Sequence, residues 1–135
     1  MTQEEKDLLL KDLCARLPYN CRAFYEYVDD LDGKTYGYSL TLNTWCIDEF
    51  VANKAVIKPY LRPMSSMTEE ECIELGNIEA TIENISEVIP NVPYYIEVAY
   101  SKQIDWFNVH HFDYRGLIEK GLAIEAPKEN NPYKE

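Results

Sequence analysis

The sequence predicts an α+β fold: a small antiparallel sheet with an N-terminal helix and a central acidic helical unit packed on it, and a helical C-terminal third. Three patterns predict it. Leu9, Leu10, Leu13, Cys14 and Leu17 recur at helical spacing near the start. From Cys21 to about Arg62 apolar and polar residues tend to alternate, as strands require. Ile78, Ile82, Ile85 and Ile89 then repeat at i, i+4, i+7 and i+11, the stripe of a half-buried helix.

In chain order, Thr2 and Glu5 form a capping-box pattern that opens a helix running to Leu17, and Pro18 ends it. Cys21, Ala23, Tyr25 and Tyr27 mark one face of a first strand. Asp29-Asp-Leu-Asp-Gly33 is a turn signal, and Tyr36, Tyr38, Leu40 and Leu42 mark a second strand with Gly37 a candidate bulge. A third strand is expected over Trp45–Val51 and a weaker fourth near Ala55–Ile57. Pro59 and Pro63, which cannot donate to a ladder, place the next segment at an edge or in a loop. Thr68 and Glu71 repeat the capping box before the isoleucine-striped helix, with Gly76 a candidate interruption and Pro90 and Pro93 closing the unit. Tyr94 to Tyr100 alternate like a returning strand. Gln103–Phe112 reads as a helix, and Asp113 could cap a short one through Lys120 that Gly121 ends.

At 135 residues, with 46% apolar and 27% charged, the chain fits a single folded domain over residues 1–127 followed by a polar tail, 128–135. No stretch is apolar enough to span a bilayer, and the N-terminus lacks the basic and apolar runs of a signal peptide. A cytoplasmic setting is therefore expected, with Cys14, Cys21, Cys46 and Cys72 as free, small, buried hydrophobes.

The net charge of −11 argues against direct contact with nucleic acid or anionic membranes, both of which need basic residues. No Lys or Arg lies between Arg62 and Lys102. Glu69, Glu70, Glu79, Glu83 and Glu87 fall in that interval and are the candidate binding residues for a basic protein. Glu79, Glu83 and Glu87 repeat every four residues, a like-charge ladder costing roughly 0.2–0.5 kcal/mol per pair. A basic partner would relieve it, as would Lys54, Lys58 or Arg62 of the same chain; a plain solvated helix face is the ordinary alternative.

His110, His111 and Asp113 are the candidate catalytic residues, because histidine with carboxylate serves both acid–base chemistry and metal binding. Adjacent histidines point about 100° apart on a helix, so they are poorly placed to chelate one ion. The plainer reading packs His111 beside Phe107, leaves His110 at the surface and makes Asp113 a cap. Phosphate loops, dinucleotide fingerprints and nucleophile elbows have no counterpart in the sequence, so neither a cofactor nor a metal is implied. The tyrosine-rich strands offer a third feature, since exposed tyrosines suit both sheet packing and interfaces.

Three stretches, MTQEEKDLLLKDLCARLPY, KPYLRPMSSMTEEE and WFNVHHFDYRGLIEKGLAIEAP, resemble a group of short proteins encoded by gut anaerobic bacteria and by their phages and mobile elements. The resemblance implies a bacterial or phage setting and carries no activity. The leading expectation is a non-enzymatic interaction protein, with a small hydrolase or metal-dependent enzyme at the histidine cluster as the rival. A homo-oligomer using the tyrosine face is the third.

Overall fold

The computed structural model describes residues 1–88, 93–127 and 131–133, without the side chains of 81–99. The chain is α+β. Helix α1 spans Gln3–Arg16, β1 Arg22–Val28, β2 Thr35–Thr41, α2 Thr44–Val51, β3 Ala55–Leu61, α3 Glu69–Val88, α4 Pro93–Val109 and β4 Ile124–Glu125. The sheet order is β2-β1-β3-β4. β1 pairs antiparallel with both neighbours, and the two-residue β4 runs parallel to β3. The sheet is therefore mixed. Among the described residues no helix is long and apolar enough to cross a membrane.

The capping box at Thr2 forms as its sequence requires, with Thr2 accepting from the Glu5 amide and Glu5 from the Thr2 amide. The buried stripe of α1 is not the one that hydrophobicity alone marks. Leu9, Asp12, Leu13 and Arg16 face inward at i, i+3, i+4 and i+7, whereas Cys14 is exposed. Arg16 Nε donates to Asp12 Oδ2 at 2.8 Å, one helical turn apart, so two charges share the core face of an otherwise apolar helix. Cys21 and Cys46 are buried, and Cys72, like Cys14, is at the surface. The expectation of four buried thiols holds for two.

Ala23, Tyr25 and Tyr27 oppose Pro59, Ile57 and Ala55 across β1 and β3, which sets these residues on the core face. Against them pack Leu9 and Leu13 of α1 and Cys46, Ile47 and Phe50 of α2. Trp45–Val51 is thus helix and not strand. Its β-forming composition is overridden by Asn43, whose side chain accepts from the Cys46 amide, and by Cys46, Ile47 and Phe50 falling on one helical face. The register through Glu26↔Gly37 is unbroken, so Gly37 is no bulge. It leaves room for a ring: a Cβ there would lie 2.4 Å from Phe24 Cζ.

Pro59 lies inside β3, which extends four residues past the weak strand expected from sequence. The Leu61 carbonyl accepts from Ala126 on the β4 side, so the nitrogens of odd-numbered β3 residues face that way. Pairing with β4 begins only at Tyr60. The missing donor of Pro59 therefore removes no rung. The next rung toward β1, Arg22 opposite Tyr60, is filled by a side chain from the far end of the chain. Tyr133 Oη accepts from the Arg22 amide at 2.9 Å and donates to the Tyr60 carbonyl at 2.6 Å. Tyr133 thus docks within a tail whose composition predicts fraying.

Further differences follow from local chemistry. α3 runs through Gly76 without interruption. Tyr94–Tyr100 is not a strand, because Pro93 stands at the start of α4, where its fixed φ and missing donor suit the first helical turn. Residues 114–121 form turns and not a helix. Gly116, at φ +71°, breaks the run, yet Gly121 at φ +73° closes it as expected, with the Gly121 and Leu122 amides donating back to Ile118 and Leu117. α3 packs along α4, and its Glu71 ties it to Arg62 just beyond β3. Ile78 is half-buried; Ile82, Ile85 and Ile89 lie outside the described side chains.

Two outcomes test this architecture. Asp12→Ala would strand Arg16 and Arg115 without their shared carboxylate and should cost about 3–5 kcal/mol in urea unfolding; a loss under about 1 kcal/mol would contradict the buried pairing. Tyr133→Phe, which leaves the Arg22 amide and Tyr60 carbonyl unpaired, should cost about 1–3 kcal/mol and speed hydrogen exchange at Arg22.

Candidate functional site

The segment from Phe107 to Ile118 carries a dense network of polar contacts. α4 ends in a Schellman closure: the His111 amide donates to Asn108 O and the Phe112 amide to Phe107 O. The left-handed residue in that closure is His111, at φ +61°, where glycine is the usual occupant. The cost of such a conformation is of order 1 kcal/mol. Its ring stacks face to face on Tyr133, centroids 3.7 Å apart. Burial and the nearby Arg16, His110 and Arg62 charges lower its pKa to about 4, so the ring is neutral near pH 7.

His110 points elsewhere. Its ring lies 4.4 Å from that of Trp106, with Nδ1 3.4 Å from Glu71 and Nε2 3.8 Å from Glu74. Glu71 forks onto Arg62 with two bonds of 2.7 Å, and this partner first, with the Thr68 amide and hydroxyl, lowers its pKa to about 2. Asp113 turns inward, is buried, and accepts from the Leu117 and Ile118 amides at 2.8 and 3.0 Å. The capping role anticipated for it therefore holds, on turns in place of a helix. Asn20, Arg62, His110, His111, Asn131 and Tyr133 line one open groove of about 710 Å³, but Asp113 is not among its walls. The two histidines are brought together there, and the carboxylate expected to complete them is taken up by backbone amides. Among the described residues no group of three or more His, Cys, Asp or Glu side chains is gathered closely enough to hold a metal ion.

Sequence reasoning missed the neighbouring network. Asp12 accepts from both Arg16 and Arg115, and Arg16 Nη2 donates to the Phe112 carbonyl at 2.6 Å. Arg62 lies 4.2 Å over the Phe112 ring, while Arg16 and Arg115 lie 5.1 and 4.7 Å from Tyr114. The signal available was Asp12 and Arg16 four apart on the leucine face of α1.

The acidic candidates divide. Glu69, Glu70 and Glu79 are exposed on α3, and Glu83 and Glu87 lie outside the described side chains. Of the cations that could have neutralised the helix internally, Arg62 is held by Glu71. Among the described residues neither Lys54 nor Lys58 forms an ion pair with α3.

Toward the β2 edge of the same core face, the tyrosines form a contiguous aromatic patch. Tyr25 is buried at 5.3 Å from Trp45 and 5.4 Å from Tyr38, and Tyr27 lies 6.0 Å from Tyr36. Tyr36, Tyr38 and Trp45 are exposed. The patch therefore combines sheet packing at Tyr25 with accessible rings around it.

His111 and Glu71 predict a two-step acid response. Between pH 6.5 and about 4 the unfolded chain protonates at His111 and the folded one does not, so stability falls as pH drops through that window. Glu71 acts lower, its contribution being lost as pH falls from 4.5 to about 2. His111→Asn, which tolerates positive φ, should abolish the upper limb alone, and Glu71→Gln should reduce the lower, to which Glu5 and Asp32 also contribute, in urea unfolding measured across pH. An unchanged upper limb in His111→Asn would contradict the assignment.

No protein-family model, no curated protein and no solved structure matches the chain.

Proposed function

We propose that the protein is a non-enzymatic interaction protein, an accessory factor of a bacterium or its phage, that binds a basic protein through the acidic face of α3. The observation that carries this reading is the state of its charges. Glu69, Glu70 and Glu79 stand exposed, while Arg62, the nearest cation in sequence, is already paired with Glu71. Among the described residues none of these three glutamates forms an ion pair, which leaves their charge for an external partner to meet. A chain of net charge −11 also steers basic partners toward itself from a distance. The bacterial or phage setting, and with it a cytoplasmic location, rests on the three resembling stretches.

Affinity capture from a bacterial lysate, run with the wild-type chain and with a Glu69→Gln, Glu70→Gln, Glu79→Gln variant, tests the reading. A basic partner should be captured by the wild type at about 50 mM salt and released near 500 mM, where the screening length falls to a few ångströms. The triple variant should bind it roughly tenfold more weakly, three exposed pairs being worth up to about 1 kcal/mol each. A partner retained equally by the variant and at high salt would overturn the proposal.

A further inference from the structure

A second cavity lies where the aromatic patch meets α2, remote in sequence from the acidic helix. It encloses about 610 Å³ and is lined by Tyr25, Tyr27, Asp30, Glu49, Asn53 and Lys54, with Val28 at its margin. Tyr25 is only 4% exposed, yet its hydroxyl makes no hydrogen bond among the described residues while its side chain forms part of the cavity wall. The ring is buried, whereas the hydroxyl is not among the fully buried polar atoms without a partner, so it meets solvent at the cavity and is open to a ligand. Glu49 stands close enough for its charge to help raise the Tyr25 pKa, behind the larger effect of burial. Asp30 adds a second carboxylate, Lys54 offsets one of the two, and the lining keeps one net negative charge.

We propose that this cavity receives the guanidinium of an arginine carried by a partner protein. Apart from Lys54, the charged and aromatic parts of the lining match that group. A guanidinium is planar and weakly hydrated, so it lies against tyrosine faces while its fork of donors reaches carboxylates. Glu49 and Asp30 accept those donors, and the free Tyr25 hydroxyl accepts another. The exposed rings of Tyr38 and Trp45 beside Tyr25 give the flanking residues of the partner an apolar surface. An ammonium could enter too, but as a compact and strongly hydrated charge it gains less from the rings. The site is independent of the acidic face of α3.

The test is an amide and indole NMR titration of the full chain with acetyl-Gly-Arg-Gly-amide, alongside its citrulline and lysine counterparts. Saturable shifts are expected at Tyr25, Tyr27, Glu49 and the Trp45 indole, with arginine bound at least about fivefold more tightly than uncharged citrulline or lysine. Glu49→Gln and Tyr25→Phe should each weaken binding by roughly threefold or more, with Glu49→Gln deciding the matter if Tyr25→Phe perturbs the fold. Equal response to citrulline or to lysine, or no saturable shift at these residues, overturns the proposal. Shifts confined to Glu69, Glu70 and Glu79 do so as well, and would leave the acidic-helix reading standing.

Discussion

The fold depends on a charge pair placed where an apolar contact would be expected. Asp12 and Arg16 are both fully buried between the leucines of α1. Two charges in a core are tolerated only when their hydrogen-bonding capacity is largely met. That requirement draws in the other end of the chain. Arg115 supplies the second donor to Asp12, and the Phe112 carbonyl receives Arg16. The helix that begins at Gln3 is thereby fastened to a segment about a hundred residues later.

From Phe112 the constraint spreads outward. Its ring is fully buried between Trp106 and Arg62, and Arg62 is in turn gripped by Glu71 of α3. Backbone bonds from Arg62 to His111 and from Asp113 to Arg62 fix the end of β3 beside the same turn. His111 is held in its left-handed conformation from both sides, by the closure of α4 and by the stack on Tyr133. The strain at that residue is therefore a consequence of joining α4, β3 and the tail at one place.

This arrangement also explains the surface. All four arginines are engaged within the domain: Arg16, Arg62 and Arg115 in the network and Arg22 on Thr41. The sequence holds 24 acidic against 13 basic residues, and part of that excess stands outside the network, on α3 and at the mouth of the aromatic cavity. The two proposed contact surfaces share that origin. Among the described residues the exposed Glu69, Glu70 and Glu79 form no ion pair.

By itself the sequence determined what depends on near neighbours. The capping boxes at Thr2 and Thr68, the alternation of Ala23, Tyr25 and Tyr27, and the left-handed stop at Gly121 are each set within a few residues. Tertiary structure decided what depends on contacts far along the chain. The β-forming residues Trp45–Val51 became helix because one face met the sheet, and Pro59 joined a strand because its nitrogen faced a side without a rung. Tyr133 was ordered by a gap between Arg22 and Tyr60 that exists only after the strands pair. The candidate site divided in the same way. His110 and His111 were visible as a pair, but the destinations of Asp113, Asp12 and Arg16 were not. A carboxylate's role is set by which donor reaches it, and those donors arrive through folding.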